Sequence, residues 1–126
     1  MTPRAFVSSL RRIVADAAVA GTQAILQQPP GKRPATDLIK TAEWFRGLSI
    51  EDQEFARNIA RLAVHQAVFG FLAVIDGVRL IDDKAPLGRF ELRFIRGEDS
   101  FLINPTDGEE LHDLLTEVEW SDTGDS

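Results

Sequence analysis

Few residues in this 126-residue chain have chemistry to offer, and their spacing limits what they can do. There is no cysteine, which removes disulfides, thiolate zinc sites and thiol nucleophiles together. Two histidines remain, His65 and His112. Glu109-x-x-His112 has the i, i+3 spacing that carboxylate-bridged di-iron bundles use, but such sites need a second pair, and the residue three before His65 is Leu62. His112 therefore reads as a surface histidine on an acidic helix, with no metal and no cofactor expected. His65 and Asp76 return to nearly the same helix face, yet about 16 Å of axial rise separates them, too far for a hydrogen-bonded acid–base pair. Ser8, Ser9, Ser49 and Ser100 sit in no nucleophile-elbow context, and no glycine-rich phosphate loop is present. No catalytic residue is assigned.

Asp76 is the most informative single position. It follows a wholly apolar turn near the expected C-terminus of a helix, where the macrodipole disfavours negative charge. Something must neutralise it, and Arg79, Arg89 and Arg93 are the nearest candidates in the sequence. A structural ion pair or an Asp-Gly turn is the plain account; Asp76 and Arg93 as ligand-facing polar groups is the sharper one.

These residues are positioned by a long helix over 49–76. Ser49 can cap it, Glu51, Asp52 and Glu54 suit its positive end, and Phe55, Ile59, Leu62 and Phe69 recur at helical spacing. From Ala67 to Ile75 the polar side disappears, which predicts burial on every face. Gly77 stands where a left-handed residue would end the helix. Gly70 costs about 1 kcal/mol against alanine inside a helix, so close packing is expected there. The rival for 67–81 is a hairpin about Asp76-Gly77.

Around this helix the expected fold is α+β, a single domain over 1–126. Residues 1–28 read as an amphipathic helix built on Phe6, Leu10, Ile13, Val14, Ala17 and Ala18, and 29–35 as a proline-rich linker. Within a core of 36–118, Asp37 would cap a short helix carrying Leu38, Ile39, Ala42, Trp44 and Phe45, the two aromatics being core residues. Residues 89–104 alternate as an antiparallel hairpin with Phe90, Leu92 and Phe94 inward, and 78–81 is a candidate third strand. A last helix, capped by Thr106 or Asp107, would bury Leu111, Leu114, Leu115 and Val118, with a polar, disordered tail at 119–126.

Charge is the strongest compositional signal. Residues 1–48 carry +4, residues 49–126 carry −10, and from Glu98 onward there are ten acids with no Lys or Arg. That surface repels nucleic acid and attracts a basic partner. No stretch reaches the ~20 apolar residues of a membrane span, and the lack of cysteine suits a cytoplasmic protein. AVFGFLAVIDGV, then a strand pair ending in LINP, then EELHDLL, resembles small uncharacterised bacterial α+β proteins, some of them immunity partners of toxins. The resemblance implies a protein-binding role and assigns no residue a function.

The function expected is non-catalytic binding of a basic protein, of immunity or antitoxin type, through Glu109, Glu110, Asp113 and Glu117. One alternative is a small-molecule-binding domain or small enzyme with a pocket between the long helix and the hairpin. The other is a structural homo-oligomer, a homodimer through the N-terminal helix.

Overall fold

The computed structural model describes residues 1–122, with side chains through Glu117. Val118 as a member of the apolar stripe, and residues 123–126 of the expected tail, lie outside what is described. The fold is α+β and mostly helical, with one long helix and a two-stranded antiparallel sheet. The chain divides into two compact units, residues 1–14 with 66–126, and residues 15–65.

The N-terminal helical stretch is α1 (Pro3–Leu10), a π-helical segment (Arg11–Asp16) and α2 (Ala17–Gln27). Thr2 caps it, its hydroxyl accepting from the Ala5 amide at 3.1 Å, and Pro3 occupies the first turn where no amide partner is needed. The linker then leads to α3 (Thr36–Arg46) and α4 (Ile50–Ile75). Asp37 lies in the first turn of α3 and makes no side-chain cap; Ala35 holds that position. Ser49 does cap α4, accepting from the Asp52 amide at 3.1 Å. Between these helices Gln53 ties the corner by donating to the Phe45 carbonyl at 3.1 Å.

In residues 15–65, α2 packs on α3, and Arg46 donates to the carbonyls of Leu26 and Gln27 that the end of α2 leaves open. Ala15, Ala42 and Phe45 are buried. Trp44, expected in the core, is exposed. So is the row Phe55, Ile59 and Leu62 on α4, at 58, 69 and 53%. Its spacing correctly marks one helix face, but that face is uncovered among the described residues.

The other unit holds the main core: Val7, Leu72, Ile103, Leu111, Leu114 and Leu115, with Phe6, Leu10, Val68, Phe69, Ile75, Leu92 and Phe94 packed against it. Thus α1 packs on α5 (Leu111–Asp122) through Phe6, Val7 and Leu10, while Ile13 and Val14 beyond them stay exposed. Burial on every face of 67–75 does not hold. Gly70, Leu72 and Ala73 are buried, but Phe71 is exposed.

Asp76-Gly77 ends α4 rather than turning a hairpin. Gly77 has φ +80°, its amide donates to the Val74 carbonyl and the Val78 amide to that of Ala73, the paired bonds of a Schellman cap. Residues 78–81 form no strand. The strands are β1 (Arg93–Arg96) and β2 (Asp99–Leu102), with Phe94 opposite Phe101 across a turn at Gly97. The hairpin is therefore shorter than 89–104. Leu92 and Phe94 turn toward the core as their alternation requires, whereas Phe90 lies before the ladder and is exposed.

Candidate functional site

Asp76 and His112 are where the structure departs most from the sequence-based expectation. His112 is buried, 9% exposed, rather than a surface residue, and it is the partner that Asp76 needed. Asp76 Oδ2 stands 2.6 Å from His112 Nδ1 and accepts the His112 backbone amide at 3.0 Å. The Asp76 side chain is itself only 4% exposed. None of Arg79, Arg89 and Arg93 makes this contact. Arg93 is bonded to Glu91 at 2.8 Å, and its other terminal nitrogen lies 3.5 Å from Ser100 Oγ.

The physical logic is an exchange of helix ends. Asp76 sits just past the C-terminus of α4, where a carboxylate is disfavoured, but the fold delivers it to the first turn of α5, where free amides and the dipole favour it. It caps α5 from 36 residues away in sequence. Neither Thr106 nor Asp107 is the cap; they lie in a turn, and α5 opens at Leu111, after Glu110, whose carbonyl accepts the Leu114 amide at 3.1 Å.

Two further contacts hold the imidazole. Phe69 on α4 meets it edge-on, ring centroids 5.3 Å apart at 86°. At the far side of the ring, Nε2 faces Glu110 Oε2 at 3.2 Å and Asp113 Oδ1 at 3.5 Å. A carboxylate at Nδ1 fixes that nitrogen as the donor, as in hydrolytic triads. The groups at Nε2 are carboxylates, however, and not a hydroxyl poised to lose a proton. The nearby Thr116 hydroxyl donates to the His112 carbonyl at 3.3 Å. This pair activates no nucleophile among the described residues.

Beside it, Asn104 does quieter work. Its amide donates to the carbonyls of Ile75 at 3.0 Å and Phe90 at 2.8 Å, and its oxygen accepts the Leu92 amide at 2.8 Å. It thereby joins the end of α4 to the segment entering β1, while the Ile103 amide extends the ladder to the Leu92 carbonyl at 2.8 Å. The sequence marks Asn104 only as part of LINP, and nothing in that motif predicts three tertiary bonds.

The four acids expected to meet a partner divide into two pairs. Glu109 and Glu117 both receive Arg4 Nη2, at 3.1 and 3.0 Å, so α1 supplies a cation to this face. The Glu117 hydrogen bond, then the charge of Glu109, raise the pKa of Arg4 above its ordinary value. Glu110 and Asp113 flank His112 instead. All four acids are exposed, while Leu111, Leu114 and Leu115 on the opposite side of α5 are fully buried.

A cavity of about 240 Å³ opens between the end of α4 and the segment after it, lined by Val74, Leu80, Ile81 and Phe90 with Arg79 and Arg89. Asp76 and Arg93 do not line it. It falls below the roughly 300–1,000 Å³ of sites that enclose small ligands. By length and composition α4 is apolar enough to cross a bilayer. Its uncharged part, residues 62–75, spans about 21 Å of helix against ~30 Å of hydrocarbon.

Comparison with protein-family models, with curated proteins and with solved structures found no match for this chain, leaving its own geometry as the basis for function.

Proposed function

We propose that the chain is a non-catalytic protein-binding module whose partner is a basic protein, in the manner of an immunity or antitoxin protein. The observation that supports it is the row Phe55, Ile59 and Leu62, three large apolar side chains on one side of α4, each more than half exposed. Their spacing of four and three residues gives a continuous strip about 10 Å long. Three charged residues beside it pair with one another: Glu54 with Arg57 and Arg61, and Arg57 also reaches Gln23 at 3.2 Å. Apolar side chains of this kind supply most of the affinity at the centre of an interface.

Charge selects the partner. At net −6 the chain repels its own copies and draws cations, and the exposed acids of α5 add to that field. Salt therefore separates two kinds of association. Binding of a basic protein is slowed as ionic strength rises, whereas pairing of two acidic copies is strengthened.

The second reading, a homo-oligomer, draws on the same row and, separately in the other unit, on Ile13 and Val14, exposed in the segment after α1. Sedimentation of the full chain at low and high salt tests it. A dimer that tightens with salt and is lost in Ile59→Asp would establish self-association in place of the basic partner. For the preferred function, a partner captured at low salt should associate more slowly with Glu110→Lys/Asp113→Lys, in chelator to exclude metal effects. It should dissociate about tenfold faster or more from Ile59→Asp. An association rate indifferent to both salt and charge reversal would rule out the basic partner.

A further inference from the structure

The geometry around His112 points to a divalent-cation site made by His112 Nε2, Glu110 and Asp113, with Asp76 as the group that aims the imidazole; we propose Zn²⁺ as the cation it suits best. His112 is nine-tenths buried, and its orientation is fixed from three directions: Asp76 at Nδ1, its own backbone amide on the same Asp76 oxygen, and the edge of Phe69. A carboxylate that accepts the second ring N–H of a histidine is the usual support for a metal-binding imidazole, holding both tautomer and direction.

In the tautomer that Asp76 imposes, Nε2 carries a lone pair, and the two groups facing it are acceptors. A proton on Nε2 would relieve that opposition, but three carboxylates around one imidazolium leave the cluster net negative. A dication neutralises more of this charge and needs no proton on Nε2. The spacing of Glu110 fits as well. For metal–ligand distances of about 2.0–2.1 Å, the edge of a tetrahedron is roughly 3.3 Å. Nε2 lies 3.2 Å from Glu110 Oε2, close to that value, and Asp76, Glu110 and His112 hold ligand atoms within 4.8 Å of one another. Asp113 Oδ1, 3.5 Å from Nε2, stands outside that group, and its exposed side chain would reach the ion by a change of rotamer.

Mixed imidazole and carboxylate donors favour zinc and its neighbours over Mg²⁺ and Ca²⁺, which take oxygen alone. Glu110 and Asp113 are exposed, so the cation has direct access from solvent and can complete its coordination with water. The site lies on the first turn of α5, and its occupation would tie that turn to the end of α4 through Asp76. It goes beyond the protein-binding function and does not depend on a partner.

The test uses the full chain freed of metal with chelator and titrated with Zn²⁺ by calorimetry, then with Co²⁺, whose visible absorption reports four-coordinate geometry. One equivalent should bind. Glu110→Gln and Asp113→Asn, both at exposed positions, should each weaken binding by about tenfold or more, and Asp76→Asn by about 10–100-fold. Circular dichroism of each variant should match the parent, which keeps loss of binding separate from loss of fold. Calorimetry in two buffers of different ionisation heat would show whether protons leave as the metal enters. Absence of binding at 100-fold molar excess of Zn²⁺ would overturn the proposal, as would binding unchanged by the Glu110 and Asp113 substitutions.

Discussion

The two units use apolar residues in opposite ways, and α4 runs through both. In residues 1–14 with 66–126, side chains from α1, α4, α5 and the strand region converge until Val7, Leu72, Ile103, Leu111, Leu114 and Leu115 are almost wholly enclosed. In residues 15–65, the buried apolar side chains are Ala15, Ala42 and Phe45, while Ile25, Ile39, Trp44, Ile50, Phe55, Ile59 and Leu62 remain exposed. The difference lies in what each face meets. Helical periodicity specifies that side chains share a face, and a second element must still arrive to cover it. For Leu72 and Ala73 on the C-terminal half of α4 that element is present; for Phe55, Ile59 and Leu62 none covers them among the described residues.

The largest effect should come from testing this contrast directly. Leu114→Ala removes a side chain enclosed on all sides and is expected to cost about 2–5 kcal/mol in urea denaturation. Ile59→Ala removes one that is mostly in water and should change stability by less than about 0.5 kcal/mol. Equal losses would mean that Ile59 is covered in solution. Concentration dependence of the unfolding midpoint would then identify a second copy as the cover.

Asn104→Ala sharpens the contrast from the polar side. Removing the amide strands the Leu92 N–H and the carbonyls of Ile75 and Phe90 in a partly buried place. Each unsatisfied group costs about 1–3 kcal/mol, and water will recover some of them, so a loss of about 3 kcal/mol is expected. Hydrogen exchange should show the same substitution loosening residues near 90–92 before it loosens α2 and α3. Uniform loosening would show instead that the two units unfold together.

Asp76→Asn comes next, at about 1–3 kcal/mol. The amide can still accept one bond, but the charge that suits the start of α5 is lost, and with it the charge-assisted bond to His112. A neutral result would mean that the dipole contributes little here and that geometry alone holds the imidazole.

How much of this was legible in the sequence follows the range over which each interaction acts. Ser49 and Gly77 were readable because caps are local: the hydroxyl reaches three residues on, and the left-handed residue closes bonds within its own turn. The alternation at Leu92 and Phe94 was readable for the same reason, although Phe90 shows that alternation alone does not say where the ladder starts. The position of Asp76 calls for a counterpart, and local sequence offers only the nearby cations Arg79, Arg89 and Arg93. The actual counterpart is a helix N-terminus and a histidine 36 residues away. The sequence does hold a signal for this: an acid stranded at one helix C-terminus, and another helix carrying a histidine in its first turn. Asn104 offered none, since an asparagine after a strand is ordinary turn chemistry until its neighbours are known.

Two glycines of the well-packed unit give the smallest effects and the finest test of what packing means there. A Cβ on Gly77 would touch nothing within 4 Å, yet its φ of +80° is one that side chains disfavour, so Gly77→Ala should cost about 1 kcal/mol. Gly70 is the reverse. It was expected to mark a close approach, and it does: a Cβ there would lie 2.5 Å from Arg79 Nη1 and 3.5 Å from Arg79 Cζ. The obstacle is the far end of a flexible, exposed side chain, which can swing aside, whereas replacing glycine inside a helix gains about 1 kcal/mol. Gly70→Ala should therefore lie between neutral and about 1 kcal/mol more stable. A loss of more than about 1 kcal/mol would show that the guanidinium over Gly70 is held in place, as tightly as the leucines of the core below it. Repeating the measurement in an Arg79→Ala background would then decide the matter, because without Arg79 the alanine should recover its full helical advantage.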